Sequence, residues 1–380
     1  MKIFVLAPDS FKESMTAEQA CTAMQRGIDQ VFSDAICIHV PMADGGEGTV
    51  DALIAALHGE RVACEVTGPL PNQKVQTYFG LVDAGQTAVI EMAAANGMHL
   101  LLPEQRNPLL TSTYGTGEMI KYALDLDVSK IIIGLGGSVT NDAGAGMAQA
   151  LGVKFYNQWG ADVARGGGQL GCIKNIDLSE LDARLKQTQI IIASDVNNPL
   201  YGDNGASRIF GPQKGASLEM VQQLDDNLRH FADVVDAKLN LDLPHVAGAG
   251  AAGGLGFGLM VFADATIQSG AKLIIEQVGL AEKIAKADYV FTGEGRIDFQ
   301  TKFGKTPWAV AQVAKKLNKP VIAFAGRIGD NIQPLFGEGF TQIIDINNAD
   351  CDFENVLKNG QKNLESAVSK IILNGFQLDD

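Results

Sequence analysis

Apolar residues gather along this chain in short unbroken runs, at 3–6, 36–40, 131–133, 190–193, 289–291 and 321–324. Runs of that length with no polar alternation predict strands buried on both faces, as in parallel sheets. Several are separated by stretches with helical spacing, at 17–32, 117–126, 220–239 and 307–317. Thr16 with Gln19 forms a capping-box pattern at the start of the first. Strands alternating with helices predict an α/β protein. One region breaks the alternation: 61–66, 75–82 and 87–92 are consecutive strand-like runs joined by GPLPNQK and DAGQ, which predicts an antiparallel meander. The expected fold class is therefore two α/β domains. Residues 1–60 plus 285–380 form a doubly wound parallel (flavodoxin- or Rossmann-like) domain, and 61–284 form a mixed-sheet domain inserted in it.

Length supports that division, because 380 residues exceed the roughly 250–300 at which a single core stops growing. Hydrophobic residues at 46% and charged residues at 19% give a globular balance, and no apolar run reaches the ~18 residues of a membrane span. The first apolar run is followed at once by Pro8, Asp9 and Lys12, which reads as a first strand and not a signal peptide; the expected location is the cytoplasm. Cys21, Cys37, Cys64, Cys172 and Cys351 have scattered spacings and no CxxC pair, so reduced and mostly buried thiols are expected. A net charge of -14 argues against nucleic acid or an anionic membrane as partner, since both need a basic face. It leaves open an anionic substrate in a locally basic or metal-bearing pocket. A homodimer also stays open.

Four acidic, glycine-bearing loops carry the candidate chemistry, and together they imply one composite polar site. PMADGGEGT (41–49) sets Asp44 and Glu47 around a glycine pair after a strand-like run, a design suited to a metal-phosphate site. GLGGSVTNDAGAGMAQALG (134–152) follows the run 131–133 and leads toward a helix. It reads either as a phosphate cradle of backbone N–H groups with a helix dipole or as a tight turn. Neither standard nucleotide fingerprint fits: GxGxxG from Gly134 needs glycine at Val139, and a P-loop ending at Gly304-Lys305-Thr306 needs glycine at Phe299. SDVNNPLYG (194–202) puts Asp195 at a strand's carboxyl end, as proton acceptor, Mg²⁺ ligand or Asx-turn. TGEGRID (292–298) alternates Glu294, Arg296 and Asp298, either a surface ion pair or a substrate or metal site. Lys12, Lys214 and Lys305 are loop lysines with either a solvated or an anion-binding role. GAGAAGGLGFG (248–258) satisfies GxGxxG, but so dense a glycine cluster suits close helix packing or a lid as well as ligand contact. The five histidines lack zinc spacing, and Ser138 is not in a GxSxG elbow, so zinc and serine-hydrolase chemistry find no support.

Taken together, APDSFKES, PMADGGEGT, GGSVTNDAGAGMAQALG, SDVNNPL, ASRIFGPQKGA, GAGAAGGLGFG and FTGEGRIDFQTKFGKTP closely resemble the bacterial class I glycerate kinases, in the family's order from Pro8 to Pro307. The resemblance implies ATP-dependent phosphorylation of D-glycerate with Mg²⁺, in a two-domain α/β protein with an interdomain cleft. Many such enzymes serve glucarate, galactarate or glyoxylate breakdown and make 2-phosphoglycerate. It further implies Asp195 as base and Lys12 as the cation on the transferring phosphate. Asp9, Ser10, Arg296 and Asp298 would contact the substrate. Gly136, Gly137, Ser138, Asn141 and Lys214 would face the nucleotide phosphates, and Asp44, Glu47 or Glu294 would reach Mg²⁺. Two departures stand out, Glu13 where glycine is common and Val139 where alanine is common. A kinase for a related hydroxy acid, attack by the 3-hydroxyl, or a non-catalytic sugar-acid or nucleotide sensor are the competing readings.

Overall fold

The computed structural model describes residues 1–347 and 353–375; Cys351 and the end of the polar C-terminus lie outside them. Along the chain the strands are β1 (Ile3–Leu6), β2 (Ile36–His39), β3 (Glu60–Thr67), β4 (Lys74–Val82), β5 (Thr87–Glu91), β6 (Lys130–Gly134), β7 (Lys154–Tyr156), β8 (Asn175–Asp177), β9 (Gln189–Ala193), β10 (Thr266–Gln268), β11 (Tyr289–Glu294), β12 (Val321–Ala325) and β13 (Gln342–Asp345). The chain divides into two compact units. Unit 1 is Met1–Asp44, Asp51–His58 and Ala271–Asp380; unit 2 is Gly45–Val50 and Gly59–Gly270. The return to unit 1 comes before the 285 expected from sequence, because helix Leu280–Ala285 packs on helix Thr306–Lys316 of that unit.

Unit 1 holds a five-stranded parallel sheet in the order β13-β12-β11-β1-β2. The unbroken apolar runs have the predicted cause: Phe4, Val5, Leu6, Phe291, Ile322 and Phe324 are all fully buried. Each such side chain contributes roughly 1.5–3 kcal/mol of apolar burial. Helix Ala17–Asp29 starts at the Thr16–Gln19 capping box. It lies so close to helix Gly360–Leu373 that a Cβ on Gly27 would sit 2.5 Å from the Glu365 carbonyl oxygen. Strand order reverses between β1 and β11, the topological switch point at which open α/β sheets gather ligands.

Unit 2 carries a six-stranded sheet, β10-β9-β6-β5-β4-β3, and a β7-β8 pair. The predicted meander is there, with β3–β4 and β4–β5 antiparallel; β5, β6, β9 and β10 pair in parallel. Beneath this sheet a core of Ile131, Ile133, Ile190, Ile192, Met119 and Leu255 fixes the strands whose carboxyl ends carry the polar loops. Cys21 and Cys64 are buried, but Cys37 is only partly covered and Cys172 is exposed, so the expectation of mostly buried thiols holds for half of those described. No helix among the described residues is long and apolar enough to cross a membrane.

Candidate active site

In unit 1, pairing of β1 with β11 brings the loop after β1 beside Glu294: Ala7 N–H donates to the Phe291 carbonyl and Asp9 N–H to that of Gly293, at 2.7 and 2.8 Å. Asp9 accepts from the Ser10 N–H at 2.6 Å and from the Thr306 hydroxyl at 2.7 Å. Burial, helped by the nearby Asp44 carboxylate, still pushes its pKa up to about 6 despite those bonds. Glu294 accepts from Thr301 Oγ1 and from Lys305 Nζ, each at 3.2 Å, yet burial raises it to about 7. Two carboxyls raised by burial at a switch point make this loop pair a candidate functional site. Carboxylate oxygens are the donors Mg²⁺ takes. Among the described residues no three His, Cys, Asp or Glu side chains converge as an all-protein cage.

Arg296 follows on the same loop. Its Nε lies 3.0 Å from Asp298 Oδ2, and its side chain is 60% exposed against 9% for Asp298. Asp298 Oδ1 caps the short helix Phe299–Phe303 through the Gln300 N–H at 2.9 Å. Both oxygens of Asp298 thus have partners within the protein, one of them the Arg296 guanidinium. A Cβ on Gly329 would fall 2.7 Å from Asp298 Cβ and 3.3 Å from Arg296 Nε, so only glycine leaves room for this pair. Lys12 is exposed on the tight turn between Phe11 and Met15, where Ser14 N–H and Met15 N–H both return to the Phe11 carbonyl. Glu13, next on that turn, has φ 62°, the left-handed region natural to glycine, which accounts for the glycine expected there. Asp44 is exposed.

In unit 2 the loop after β6 is a packed polar structure. Gly136 and Gly45 permit close backbone approach: Cβ atoms there would meet Gly46 Cα at 2.8 Å and the Ala193 carbonyl oxygen at 2.7 Å. Glu47 stands exposed beyond that glycine pair. Gly137 accepts from the Met98 N–H at 2.9 Å, and the Val139 carbonyl accepts from the Thr111 hydroxyl at 2.9 Å. Ser138 Oγ receives the ammonium of Lys214 at 2.9 Å, with the Thr140 carbonyl taking a second bond from it at 2.7 Å. Lys214 is only 2% exposed, and burial drives its pKa down to about 7, partly offset by Asp142. Asn141 is fully buried with its Oδ1 accepting from Ser207.

The helix after this loop is short. It spans only Ala145–Ala150, and the buried Asp142 accepts from Gly144 and Gly146 N–H and from both the N–H and hydroxyl of Thr113. A carboxylate of the protein itself therefore occupies the helix start where an anion was anticipated. Burial raises the Asp142 pKa and these donors oppose the rise. The glycine cluster at 248–258 is likewise packing: Cβ atoms on Gly253, Gly254 and Gly258 would meet Thr140 O at 2.0 Å, Ala143 Cα at 2.8 Å and Ala143 O at 2.5 Å. Asp195 is exposed just past β9, which pairs with β6 in parallel, so both loops leave the sheet at the same end. At that turn the Ser194 hydroxyl accepts from Val196 N–H at 3.2 Å.

The predicted residues thus fall into two sets. Asp9, Ser10, Lys12, Asp44, Glu294, Arg296 and Asp298 belong to unit 1; Glu47, Gly136, Gly137, Ser138, Asn141, Asp195 and Lys214 belong to unit 2. Thr301, Thr306, Asp142 and Thr113 were missed. The polar run TSTYGTG, which leads into helix Tyr114–Leu124, was the available signal for Thr113.

The model of the glycerate kinase family matches residues 4–374. A protein of Haemophilus influenzae named glycerate kinase is 49% identical over 368 residues, covering 97% of each chain. An Escherichia coli K12 protein named glycerate 2-kinase is 50% identical over 346 residues, 91% of this chain and 90% of its own. A crystal structure from Salmonella typhimurium LT2, described as a candidate glycerate kinase 2, superposes with a TM-score of 0.88 at 43% identity over all of both chains. With motifs, sheets and matched length in agreement, this chain belongs to the glycerate kinase family, phosphotransferases with an alcohol group as acceptor.

Proposed function

We propose that this protein transfers the γ-phosphoryl group of ATP to the 2-hydroxyl of D-glycerate, releasing ADP and 2-phosphoglycerate. The observation that carries the reading is the 50% identity, over nine-tenths of both chains, to the protein named glycerate 2-kinase. Phosphoryl transfer asks a protein chiefly for positioning and charge neutralisation, and each requirement has a residue here.

Arg296, oriented by Asp298, and Ser10 hold the glycerate carboxylate; a planar guanidinium matches a planar carboxylate. Asp9, fixed by Thr306, accepts a hydrogen bond from a substrate hydroxyl. Asp195 takes the proton of the attacking 2-hydroxyl. As its oxygen bonds to the γ-phosphorus, the bond to the β,γ-bridging oxygen breaks and ADP leaves. Lys12 neutralises charge on the transferring group. Gly136, Gly137, Ser138 and Asn141 face the nucleotide phosphates, with Lys214 holding Ser138 and Thr140 in place. Asp44, Glu47 or Glu294 would hold Mg²⁺, which when bound screens the charge between nucleotide phosphates.

Asp195→Asn tests the base. The exposed position predicts an unchanged melting temperature and a fall in kcat of about 100-fold or more, the scale of general-base catalysis. Turnover within threefold of the parent would remove Asp195 from that role.

A further inference from the structure

We infer that Arg106, with the side-chain amides of Asn96 and Asn141, completes a phosphate-binding cradle around the loop Gly137–Asn141. This rests on the nucleotide role proposed above for that loop.

Three buried N–H groups near it have no acceptor in the protein: Arg106 Nε, Asn96 Nδ2 and Asn141 Nδ2. The Asn96 amide cannot be turned over to relieve this, because its Oδ1 already accepts from Thr116 N–H at 2.9 Å and Thr116 Oγ1 at 2.7 Å. Contacts tie the segment of Asn96 and Arg106 to the loop that carries Asn141. The Asn96 carbonyl accepts from Val139 N–H at 3.1 Å, Gly97 bridges Ser138, and Met98 N–H donates to the Gly137 carbonyl. Arg106 Nη2 reaches the Met98 carbonyl at 3.3 Å. The Arg106 backbone also lies against Gly215, the neighbour of Lys214, closely enough that a Cβ on Gly215 would meet its carbonyl oxygen at 2.3 Å.

Arg106 Nε and the Asn96 amide, whose orientation Thr116 fixes, are donors, and the Asn141 amide, held only by the Ser207 hydroxyl, can turn a donor the same way. A site made only of donors selects an acceptor-rich anion and rejects a metal ion, and a buried donor left unpaired costs about 1–3 kcal/mol, which a phosphate oxygen would recover. Among the described residues Arg106 forms no ion pair, so its charge is not already neutralised by a carboxylate. Arg106 thus brings a guanidinium to the loop, through Met98 on one side and Gly215 on the other.

Isothermal titration of the full-length protein with ATP, inorganic tripolyphosphate and adenosine, at fixed salt, tests this on the parent, Arg106→Met and Arg106→Lys. Arg106→Met should weaken ATP and tripolyphosphate by about tenfold to a hundredfold, the size of one charge-assisted hydrogen bond, while adenosine affinity and melting temperature stay put. Arg106→Lys should recover part of the loss. Equal tripolyphosphate affinity in parent and Arg106→Met overturns the inference, as does equal loss for adenosine, which would mean a merely structural role. Should Arg106→Met fail to fold, Arg106→Lys decides alone, and parental affinity for tripolyphosphate in that variant overturns the inference. A parent that binds neither ATP nor tripolyphosphate would instead sink the nucleotide reading of the loop, and the cradle with it.

Discussion

Lys214→Met should change how stability responds to pH. Lys214 is fully enclosed, donates to Ser138 and Thr140, and has its pKa lowered by burial from 10.5 to about 7. Between those values the unfolded chain binds a proton that the folded protein has released, so stability rises with pH across the window. At about 1.4 kcal/mol per pH unit, the rise from pH 7.5 to 9 is about 2 kcal/mol. Methionine cannot titrate and loses this slope. It also leaves the Thr140 carbonyl without its donor, a pH-independent loss of about 1–3 kcal/mol. Urea unfolding of both proteins at pH 7.5 and 9, at constant ionic strength, isolates the effect, because other titrating groups cancel in the difference. The parent's advantage should grow by about 2 kcal/mol. An advantage that is equal at the two pH values would show that Lys214 keeps its proton when folded, and would refute burial as the factor governing its charge.

Other expectations follow from single contacts. Glu13→Gly removes a side chain from a left-handed position and should stabilise the protein by about 0.5–1 kcal/mol in urea unfolding; a loss above 1 kcal/mol would contradict the strain argument. Gly253→Ala drives a Cβ to 2.0 Å from the Thr140 carbonyl oxygen and should cost about 3 kcal/mol or more, with ATP affinity lost in parallel; a parental melting temperature would show that the loop yields freely. Thr306→Val takes a donor from Asp9, whose pKa of about 6 should rise further. The acid limb of kcat/KM for glycerate should then move up by roughly one pH unit, and an unmoved profile would detach Asp9 from catalysis.

Much of the fold was legible because its signals are local. Unbroken runs such as VIAFA (321–325) announce strands covered on both faces, and the turn sequences between β3, β4 and β5 announce the meander. The site was legible as a set of loops at strand ends, since glycine and carboxylate positions can be read in order. What each side chain does there was not legible, because it depends on partners far away in sequence. Asp9 is set by Thr306, almost three hundred residues on, and Ser138 by Lys214. The partner at the start of the helix after the 134–152 loop was hidden for the same reason: Asp142 points inward to Thr113 and to that helix start, a contact no spacing rule predicts. Arg106 drew no notice in a loop of mixed polarity, and only its orphaned Nε singles it out.

The central claim is tested most directly by incubating the protein with D-glycerate, ATP and Mg²⁺, following ADP release and taking ³¹P spectra of the same sample. Glycerate-dependent ADP release with a 2-phosphoglycerate resonance is the predicted result. Folded protein that releases no ADP in response to glycerate, or that yields 3-phosphoglycerate instead, would contradict it.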